Sequence, residues 1–476
     1  MNKKNLITLI NDSIQSKNSI SESGAVFTNI STNLQNSSKN DVIFYKINLR
    51  EEKSIVSFQK RMEGATPGLL ILNFESAEIV KNDDVVFIKS EDFLKVQKII
   101  LDELFPNKNT LKIVGVTGTN GKTTTVNLAM QISSLIGHPA ISIGTIGVQD
   151  VNGALIKDIE STTPSYVEMR KLIHRFQDIY EVCFMEVSSH ALVQDRLFDI
   201  KLEAAAWTSF SQDHLDYHRT MEEYFKAKLL IESKYLKEKN FLLIPAQERE
   251  LNELILKSEP NTKIKIAKTL DERGYGKSLE ERPLFYHSSY NQSNAEVALQ
   301  LNEELFGEDK LKNIPLKKII TPLGRFSIIE LEENNFAIVD YAHTPDALVN
   351  IGNAIKNAFP DHSLTVVFGC GGNRDKTKRP LMGKAVSDFA NKIIVTSDNP
   401  RDEAPEDIII DILAGIKNSY EAVVDRQKAI HAALESIGKK EIVLIAGKGH
   451  EEYQEIKGVK HPFSDFNVVM NFKTGI

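Results

Sequence analysis

A glycine-rich segment at residues 115–124 has the residue types that hold phosphate groups in nucleotide-binding proteins. It reads Gly-Val-Thr-Gly-Thr-Asn-Gly-Lys-Thr-Thr and lies between a predicted strand and a predicted helix at 126–136. In such a loop, glycines let backbone N–H groups converge on phosphate oxygens, Lys122 could reach the β- and γ-phosphates, and Thr123 could bind magnesium. Val116 stands at the first glycine position of the usual pattern, so a tight glycine turn is the structural alternative. The strand, loop and helix together favour a nucleoside triphosphate site.

Acidic and histidine side chains that could hold a metal ion follow this loop along the chain. Glu186 ends an apolar run at 182–187, and the carboxyl end of a strand is where open α/β sheets bind ligands. A carboxylate there suits magnesium, although a helix-capping glutamate is the simpler alternative. Asp213 and His214 could serve a second metal or form an ordinary surface hydrogen bond, and Lys228 lies further on, on a predicted helix. The spacing alone leaves these alternatives open.

The pattern of apolar runs that must position these residues predicts an α/β protein. Short, continuous apolar runs separated by helical patterns are typical of parallel sheets buried on both faces. With 476 residues and a prior of about 150 residues per domain, we expect three domains. They are a small N-terminal α/β domain at 1–108, a central phosphate-loop domain with a parallel sheet at 109–320 and a C-terminal Rossmann-like domain at 321–476. The predicted strands include runs at 42–45, 69–72, 113–116, 182–187, 204–207, 336–339, 364–368, 392–395 and 442–445.

Composition excludes several classes of protein. The formal charge of −7, from 58 basic and 65 acidic residues, argues against a nucleic-acid coat or a polybasic membrane patch. No run reaches the ~18 uninterrupted apolar residues that a membrane span needs. Cys183 and Cys370 are too few and too far apart for a disulfide framework, so we expect buried thiols in a reducing cytoplasm. We also expect the protein to be a monomer.

Seven motifs occur in an order that resembles the UDP-N-acetylmuramyl-tripeptide synthetases of the MurE type, a family of Mur ligases. The resemblance extends from the phosphate loop almost to the end of the chain. After the loop, the motifs are Glu-Val-Ser-Ser-His at 186–190, Asp-His-Leu-Asp-Tyr-His at 213–218, Asp-Tyr-Ala-His-Thr-Pro at 340–345, Gly-Gly-Asn-Arg-Asp at 371–375, Asp-Asn-Pro-Arg at 398–401 and Gly-Lys-Gly-His-Glu at 447–451.

The resemblance implies an ATP-dependent amide ligase of cytoplasmic peptidoglycan precursor synthesis. ATP would phosphorylate the free carboxylate of the D-glutamyl residue in UDP-MurNAc-L-Ala-D-Glu, and an amino acid would then displace the phosphate. The implied catalytic residues are Lys122, Lys228, His214 and Glu186. Lys228 matches a lysine that relatives carry as a carbamate, and the implied Mg²⁺ ligands are Thr123, Glu186, His214 and Lys228. The implied nucleotide-binding residues are Gly118, Thr119, Asn120, Gly121, Lys122, Thr123, Thr124, Asn291, Asn294, Asp340 and His343.

The same resemblance implies where the UDP-linked dipeptide binds. The matching residues are Thr162, Thr163, Ser188, Gln194 and Arg196. A guanidinium such as that of Arg196 suits carboxylate or phosphate groups. This chain departs from the family pattern at Ser161, where the family usually has Asn, and at Pro164, where it usually has Gly. UDP binding is assigned to the N-terminal domain by position, without a named residue.

The incoming amino acid is expected to be meso-diaminopimelate. The Asp-Asn-Pro-Arg form of the motif goes with this acceptor in the family, and arginines can grip its distal carboxylate, which lysine lacks. The implied residues are Arg374, Asp398, Asn399, Pro400, Arg401, Gly447 and Glu451. The alternatives are L-lysine as the acceptor, a folylpolyglutamate synthetase-like ligase, or a nucleotide-driven transporter or switch. For Arg401, the structural alternative is a surface ion pair with Asp402 or Glu403.

Overall fold

The computed structural model describes residues 1–14, 26–78, 80, 85–151, 155–159, 161–274, 284–311 and 314–475. The packing of the chain divides it into two compact units. The first comprises Met1–Lys112, Thr163–Val182 and Val193–Lys201, and the second comprises Ile113–Thr162, Cys183–Leu192 and Leu202–Ile476. Each unit is built around parallel sheets, so the predicted α/β class is confirmed. The predicted domain boundaries at residues 108 and 320 stay a prediction.

The regular elements follow one another in a largely alternating order. The helices are α1 (Lys3–Ile14), α2 (Glu52–Met62), α3 (Phe93–Leu104), α4 (Lys122–Leu135), α5 (Tyr166–Phe176), α6 (Ser189–Val193), α7 (Leu215–His218), α8 (Met221–Leu230), α9 (Arg249–Lys257), α10 (Ser289–Phe306), α11 (Pro345–Ala358), α12 (Lys378–Ser387), α13 (Pro405–Leu413), α14 (Arg426–Glu435) and α15 (Asp465–Thr474). The strands are β1 (Asn29–Ser31), β2 (Asp41–Tyr45), β3 (Leu69–Asn73), β4 (Val85–Ile88), β5 (Lys112–Thr117), β6 (Ala140–Gly144), β7 (Gly147–Gln149), β8 (Leu155–Lys157), β9 (Val182–Glu186), β10 (Ala204–Trp207), β11 (Phe241–Ile244), β12 (Lys263–Ile266), β13 (Ser327–Glu330), β14 (Phe336–Asp340), β15 (Ser363–Phe368), β16 (Lys392–Val395), β17 (Glu421–Ala422), β18 (Glu441–Ala446), β19 (Tyr453–Ile456) and β20 (Val459–Pro462).

The first unit contains a four-stranded parallel sheet in the order β1-β2-β3-β4. Its central strands are apolar, and every residue of β3 is buried. Helix α3 contributes the buried residues Phe93, Val96, Ile100 and Leu101, which fall on one helical face. The helix ends at Leu104, just before Pro106.

The second unit contains an eight-stranded sheet in the order β12-β11-β10-β5-β9-β6-β7-β8. Strands β5 and β10 are parallel, with Thr117 opposite Trp207 at their carboxyl ends. The loops that follow these two strands therefore lie side by side at one edge of the sheet. All residues of β9 and β10 are buried, which explains why their sequences are continuous apolar runs without polar alternation.

A six-stranded sheet follows in the same unit, in the order β13-β14-β18-β15-β16-β17. Only β13 among these strands pairs in an antiparallel manner, and the other pairs are parallel. Helices α14 and α15 cover one face through a core that includes Ile430, Leu434 and Val469. Because β14, β18, β15 and β16 are parallel neighbours, the loops after them meet at one edge. In the part of the chain that the structure describes, no helix is long and apolar enough to cross a membrane.

Candidate active site

The phosphate loop joins β5 to α4, and its shape requires glycine at two positions. Gly118 and Gly121 have φ values of 150° and 86°, which L side chains rarely adopt. A Cβ atom at Gly118 would lie 2.0 Å from Oγ1 of Thr208, and one at Gly121 would lie 2.4 Å from Oδ1 of Asn294. The neighbouring loop after β10 holds the turn in place, since the Thr119 N–H donates to the carbonyl of Ser209 at 2.9 Å. The backbone amides at the start of α4 are thereby directed at the space where an anion could bind.

Two lysines converge on this loop. Nζ of Lys122 and Nζ of Lys228 each donate to the carbonyl oxygen of Gly118 at 2.8 Å, and Lys122 also donates to that of Thr119 at 2.9 Å. Lys228 is buried and lies over the ring of Tyr224. Burial lowers the pKa of Lys228 well below its usual value and the Lys122 charge adds to the effect, although Asp213 opposes it. The neutral amine of Lys228 is therefore strongly favoured compared with that of an exposed lysine.

Glu186 ends β9 fully buried, with its carboxylate against the end of β6. Its Oε1 accepts a hydrogen bond from the N–H of Thr145 at 2.8 Å, and its Oε2 accepts one from the Thr145 hydroxyl at 3.1 Å. The same hydroxyl oxygen is 3.2 Å from Oγ1 of Thr162. Gly144 is glycine for a steric reason, because a Cβ atom there would lie 2.1 Å from Oε1 of Glu186. A predicted metal ligand and a predicted dipeptide-binding residue thus share one small network.

Asp213 is the centre of a cluster of ionisable side chains at the end of the loop between β10 and α7. Its carboxylate is 3.3 Å from Nζ of Lys378, 3.4 Å from Nε2 of His214 and 3.9 Å from Nε2 of His343. Burial alone would raise the pKa of Asp213, but these three neighbours hold it well below its usual value. Burial lowers the pKa of His214 to about 3 and that of His343 to about 4. Both imidazoles are therefore neutral near pH 7 and retain a nitrogen lone pair.

A cavity of about 420 Å³ opens beside the phosphate loop. Its walls include six of the residues predicted to bind nucleotide, namely Asn120, Gly121, Thr124, Asn291, Asn294 and Asp340. Within the described part of the chain, Nδ2 of Asn291 and Nε of Arg325 are buried without a hydrogen-bond partner. Such atoms carry a desolvation penalty unless a ligand satisfies them. The cavity therefore has the size and the unused donors of a small-molecule site.

Arg325, Lys378 and Lys448 are three site residues that the sequence interpretation did not identify. Arg325 donates from Nη2 to Oγ1 of Thr123 at 3.0 Å and lies over the ring of Tyr341. Lys378 neutralises Asp213, and Lys448 lies in the predicted amino-acid region. Lys448 lies in the motif at 447–451 and Lys378 close to the motif at 371–375, whereas Arg325 lies outside every motif, and the partners of Arg325 and Lys378 are distant in sequence. Lysine and arginine are rarely buried unless they are paired, so a lysine within or beside such a motif could have indicated a role in the site.

The residues predicted to hold the incoming amino acid lie on loops after β15, β16 and β18. Nδ2 of Asn399 donates to Oε2 of Glu451 at 2.8 Å, and Nζ of Lys448 donates to both side chains at 2.9 Å. Gly447 lies beside Asp398, because a Cβ atom there would be 2.6 Å from Oδ2 of that residue. The structure thus brings together Asp398, Asn399, Gly447 and Glu451.

The arginines of these loops lie next to each other. Arg401 pairs with Glu455 at 3.1 Å and donates from Nη1 to the carbonyl of Gly372 at 2.8 Å. The surface pair with Asp402 or Glu403, which was the structural alternative, is therefore not the one that forms. The side chain of Arg374 approaches the same stretch, with its Cγ 3.7 Å from the position of a Cβ atom at Gly371. Pro400 packs its carbonyl against Gly372.

In the first unit, three of the predicted dipeptide-binding residues form one cluster. Arg196 donates from Nη1 to the carbonyl of Thr163 at 2.6 Å and from Nε and Nη2 to Oε1 of Gln194 at 3.1 and 2.8 Å. In the second unit, Ser188 accepts a hydrogen bond at its Oγ from the N–H of Ala191 at 3.2 Å. The roles of these residues in substrate binding stay predictions.

A glycine loop between a buried strand and a helix, with a cavity beside it, defines a nucleotide-binding α/β protein. Residues 116–316 match the Mur ligase middle domain, and residues 324–449 match the Mur ligase glutamate ligase domain. The chain is 37% identical over 392 residues to the UDP-N-acetylmuramoyl-L-alanyl-D-glutamate--2,6-diaminopimelate ligase of Aquifex aeolicus (strain VF5), covering 77% of this chain and 78% of the relative. It is 35% identical over 429 residues to the ligase of the same name from Rickettsia montanensis, covering 86% and 88%. The chain belongs to the Mur ligase family.

Solved structures of Mur ligases have folds similar to that of this chain. One similar structure is that of a UDP-N-acetylmuramoyl-L-alanyl-D-glutamate--2,6-diaminopimelate ligase, with a TM-score of 0.56, 29% identity and coverage of 94% of this chain and 95% of that one. The MurF ligase of Thermotoga maritima in complex with ADP has a TM-score of 0.61 at 14% identity, covering 89% and 95% of the two chains. At that identity the likeness concerns the fold alone.

Proposed function

We propose that this protein is an ATP-dependent ligase that adds meso-diaminopimelate to the D-glutamyl carboxylate of UDP-MurNAc-L-Ala-D-Glu in peptidoglycan precursor synthesis. The observation that carries the proposal is the convergence of Lys122 and Lys228 on one carbonyl of the phosphate loop, next to a cavity with unused polar donors. The names of the relatives at 35–37% identity support the substrates.

In the proposed reaction, a carboxylate oxygen of the dipeptide attacks the γ-phosphorus of ATP, and ADP leaves. The amine of the amino acid then attacks the acyl carbon, so that a C–N bond forms, the C–O bond to phosphate breaks, and the amine loses a proton. The nucleoside would occupy the cavity near Asn291, Asn294 and Asp340. The phosphates would lie along the loop, where Lys122 and Arg325 offset the negative charge that develops.

The donor set near the loop fits magnesium once Lys228 is modified. Thr123, Glu186 and His214 offer a hydroxyl, a carboxylate and a neutral imidazole, and the metal would neutralise the phosphate charge when bound. An unmodified amine is a poor ligand for this hard cation. Since the neutral form of Lys228 is favoured, its nitrogen can attack CO₂ and lose a proton, which gives a carbamate with oxygen ligands. The cation of Lys122 would then lie beside the new anion.

For the acceptor, we propose meso-diaminopimelate rather than L-lysine. Arg374 and Arg401 would bind a distal carboxylate, which lysine does not have. Asp398, Asn399, Gly447 and Glu451 would surround the distal amino group.

The acidic formal charge of −7 supports a protein that does not bind nucleic acid. We also propose that the protein works as a monomer in the cytoplasm, a compartment that suits its two free, buried cysteines.

The test is phosphate release by the purified protein with ATP, magnesium and UDP-MurNAc-L-Ala-D-Glu, with meso-diaminopimelate or L-lysine as the acceptor. Release that depends on meso-diaminopimelate is the expected result. Release with L-lysine alone would keep the ligase reaction and overturn the acceptor. Release with neither acceptor would overturn the proposal and direct attention to folylpolyglutamate synthetase-like substrates.

A further inference from the structure

The two loops that carry Arg374 and Arg401 are packed backbone against backbone. They follow the parallel neighbours β15 and β16, and the N–H of Gly372 donates to the carbonyl of Asn399 at 2.9 Å. A Cβ atom at Gly372 would lie 1.9 Å from the carbonyl oxygen of Pro400. Any side chain at Gly372 would therefore separate the loops, so their distance is fixed at van der Waals contact.

A buried arginine outside the predicted site ties these loops together. Arg379, in the first turn of α12, is 1% exposed and binds Glu403 with both terminal nitrogens, at 3.0 and 2.9 Å. Glu403 follows Arg401 in the second loop, and its Oε1 also accepts the N–H of Asn373 from the first loop at 2.5 Å. We call Arg379, Glu403 and Asn373 the loop clasp.

The clasp is charged near neutral pH and includes a residue with a left-handed backbone conformation. The hydrogen bonds from Arg379, together with those from Asn373 and Lys376, lower the pKa of Glu403 to about 2. The carboxylate is therefore ionised near neutral pH. Asn373 has a φ of 54°, in the left-handed region that asparagine adopts more readily than most residues, and its side chain donates to Asp402 at 2.6 Å.

In this arrangement both predicted carboxylate-binding arginines approach Gly371, Arg401 with its guanidinium and Arg374 with the stem of its side chain. A Cβ atom there would lie 2.9 Å from Nη1 of Arg401 and 3.7 Å from Cγ of Arg374. Two guanidinium groups can grip carboxylates only if their separation matches the ligand, and that separation depends on the relative position of the two loops. Since the clasp fixes this position, it also fixes the separation.

We infer that Arg379 and Glu403 are positioning residues, which set the spacing of Arg374 and Arg401 and thereby the preference for an acceptor amino acid with a distal carboxylate. This inference rests on the proposed function. Neither residue needs to touch the substrate. Arg379 also pairs with Asp411 on α13 at 2.9 Å, and Glu403 also pairs with the exposed Lys376 at 3.1 Å. The pair with Asp411 provides a matched control, because it involves the same arginine but does not join the loops, whereas Lys376 lies in the first loop and its pair with Glu403 does join them.

The experiment compares the Glu403→Gln variant with the control Asp411→Asn in the phosphate-release assay. Glutamine keeps the shape of Glu403 but loses the charge and one acceptor, so the loops should shift while the fold is kept. Because a misplacement of about 1 Å can cost about 100-fold, we expect the KM for meso-diaminopimelate to rise about 10- to 100-fold, with the KM for ATP within about twofold. The preference for meso-diaminopimelate over L-lysine should fall as well. The Asp411→Asn control should match the wild type in these quantities.

A second variant, Arg379→Lys, retains the buried charge but cannot bind both oxygens of Glu403, and we expect it to shift the same preference. An unchanged KM for meso-diaminopimelate in Glu403→Gln, or an equal rise in Asp411→Asn, would overturn the inference and leave the proposed function intact. A change in melting temperature alone, without a change in acceptor preference, would also overturn it. A wild-type protein that is inactive with both acceptors would overturn the proposed function and this inference with it.

Discussion

Replacement of Arg325 by methionine is the perturbation that tests the nucleotide cavity most directly. The guanidinium lines the cavity, donates to Oγ1 of Thr123 at 3.0 Å and lies 4.3 Å from the ring centroid of Tyr341. Its Nε is buried and, among the described residues, has no hydrogen-bond partner. Methionine fills most of the same volume but provides neither charge nor donor. The change would therefore remove the proposed interaction of this guanidinium with the phosphates of ATP and leave the packing largely intact.

The magnitude follows from the kind of interaction that is lost. A hydrogen bond to a charged group contributes about 1.5–3 kcal/mol, and each 1.4 kcal/mol corresponds to a factor of ten in affinity. We expect ATP binding to weaken about 10- to 150-fold if Arg325 contacts phosphate through one such bond. Asp340 should also become harder to ionise, because burial raises its pKa and Arg325 is the charge that opposes this effect.

The assay is a titration with a non-hydrolysable ATP analogue, together with the KM for ATP from phosphate release. Arg61→Met is the control, since Arg61 is an exposed arginine on α2 and its loss should change neither quantity. The melting temperatures of both variants should stay near that of the wild type. An affinity of Arg325→Met within about twofold of the wild type would refute the assignment of this cavity to the nucleotide.

Three further predictions concern charge and carbon dioxide. Removal of dissolved CO₂ should lower turnover and bicarbonate should restore it at neutral pH, because the lowered pKa of Lys228 favours the neutral amine that reacts with CO₂. Turnover that does not depend on CO₂ would contradict the carbamate. Glu248 lies in the cavity wall, where burial and the nearby Asp346 and Glu250 raise its pKa to about 7. Its ionisation between pH 6 and 8 would place a negative charge near the phosphates of ATP, so the wild-type KM for ATP should rise over this range. Glu248→Gln should flatten that rise, and an equal slope in both proteins would contradict it. Arg401→Ala should raise the KM for meso-diaminopimelate about 10-fold or more but barely change that for ATP, and equal effects would contradict its role.

The sequence could predict the phosphate loop because all parts of that motif are local. The strand that ends at Thr117, the glycine turn and the helix that begins at Lys122 follow one another directly. The strands β14, β15, β16 and β18 were predictable for a similar reason, since a buried parallel strand is a continuous apolar run. The end of each such strand then indicates where ligand-binding residues gather.

Arg325 and Lys378 could not be predicted in the same way, because their partners lie far away in sequence. Arg325 reaches Thr123 across 202 residues, and Lys378 reaches Asp213 across 165 residues. No periodicity or spacing carries information about such pairs. The pair between Lys378 and Asp213 weakens the prediction that Asp213 serves a second metal. A carboxylate that Lys378 already neutralises is less available to a cation.

The charges around the phosphate loop indicate that the metal and the nucleotide depend on each other. Of the four predicted metal ligands, Thr123 is neutral, His214 is held neutral by burial, and burial shifts Lys228 toward its neutral amine, which a reaction with CO₂ would convert into an anion. Glu186 is therefore the only fixed carboxylate in that set, and its oxygens already accept hydrogen bonds from Thr145. Because a divalent cation needs more negative charge than one shared carboxylate supplies, the remaining charge must come from the carbamate and from the phosphates of ATP. Magnesium should then bind tightly only together with the nucleotide, so that neither occupies this loop productively without the other.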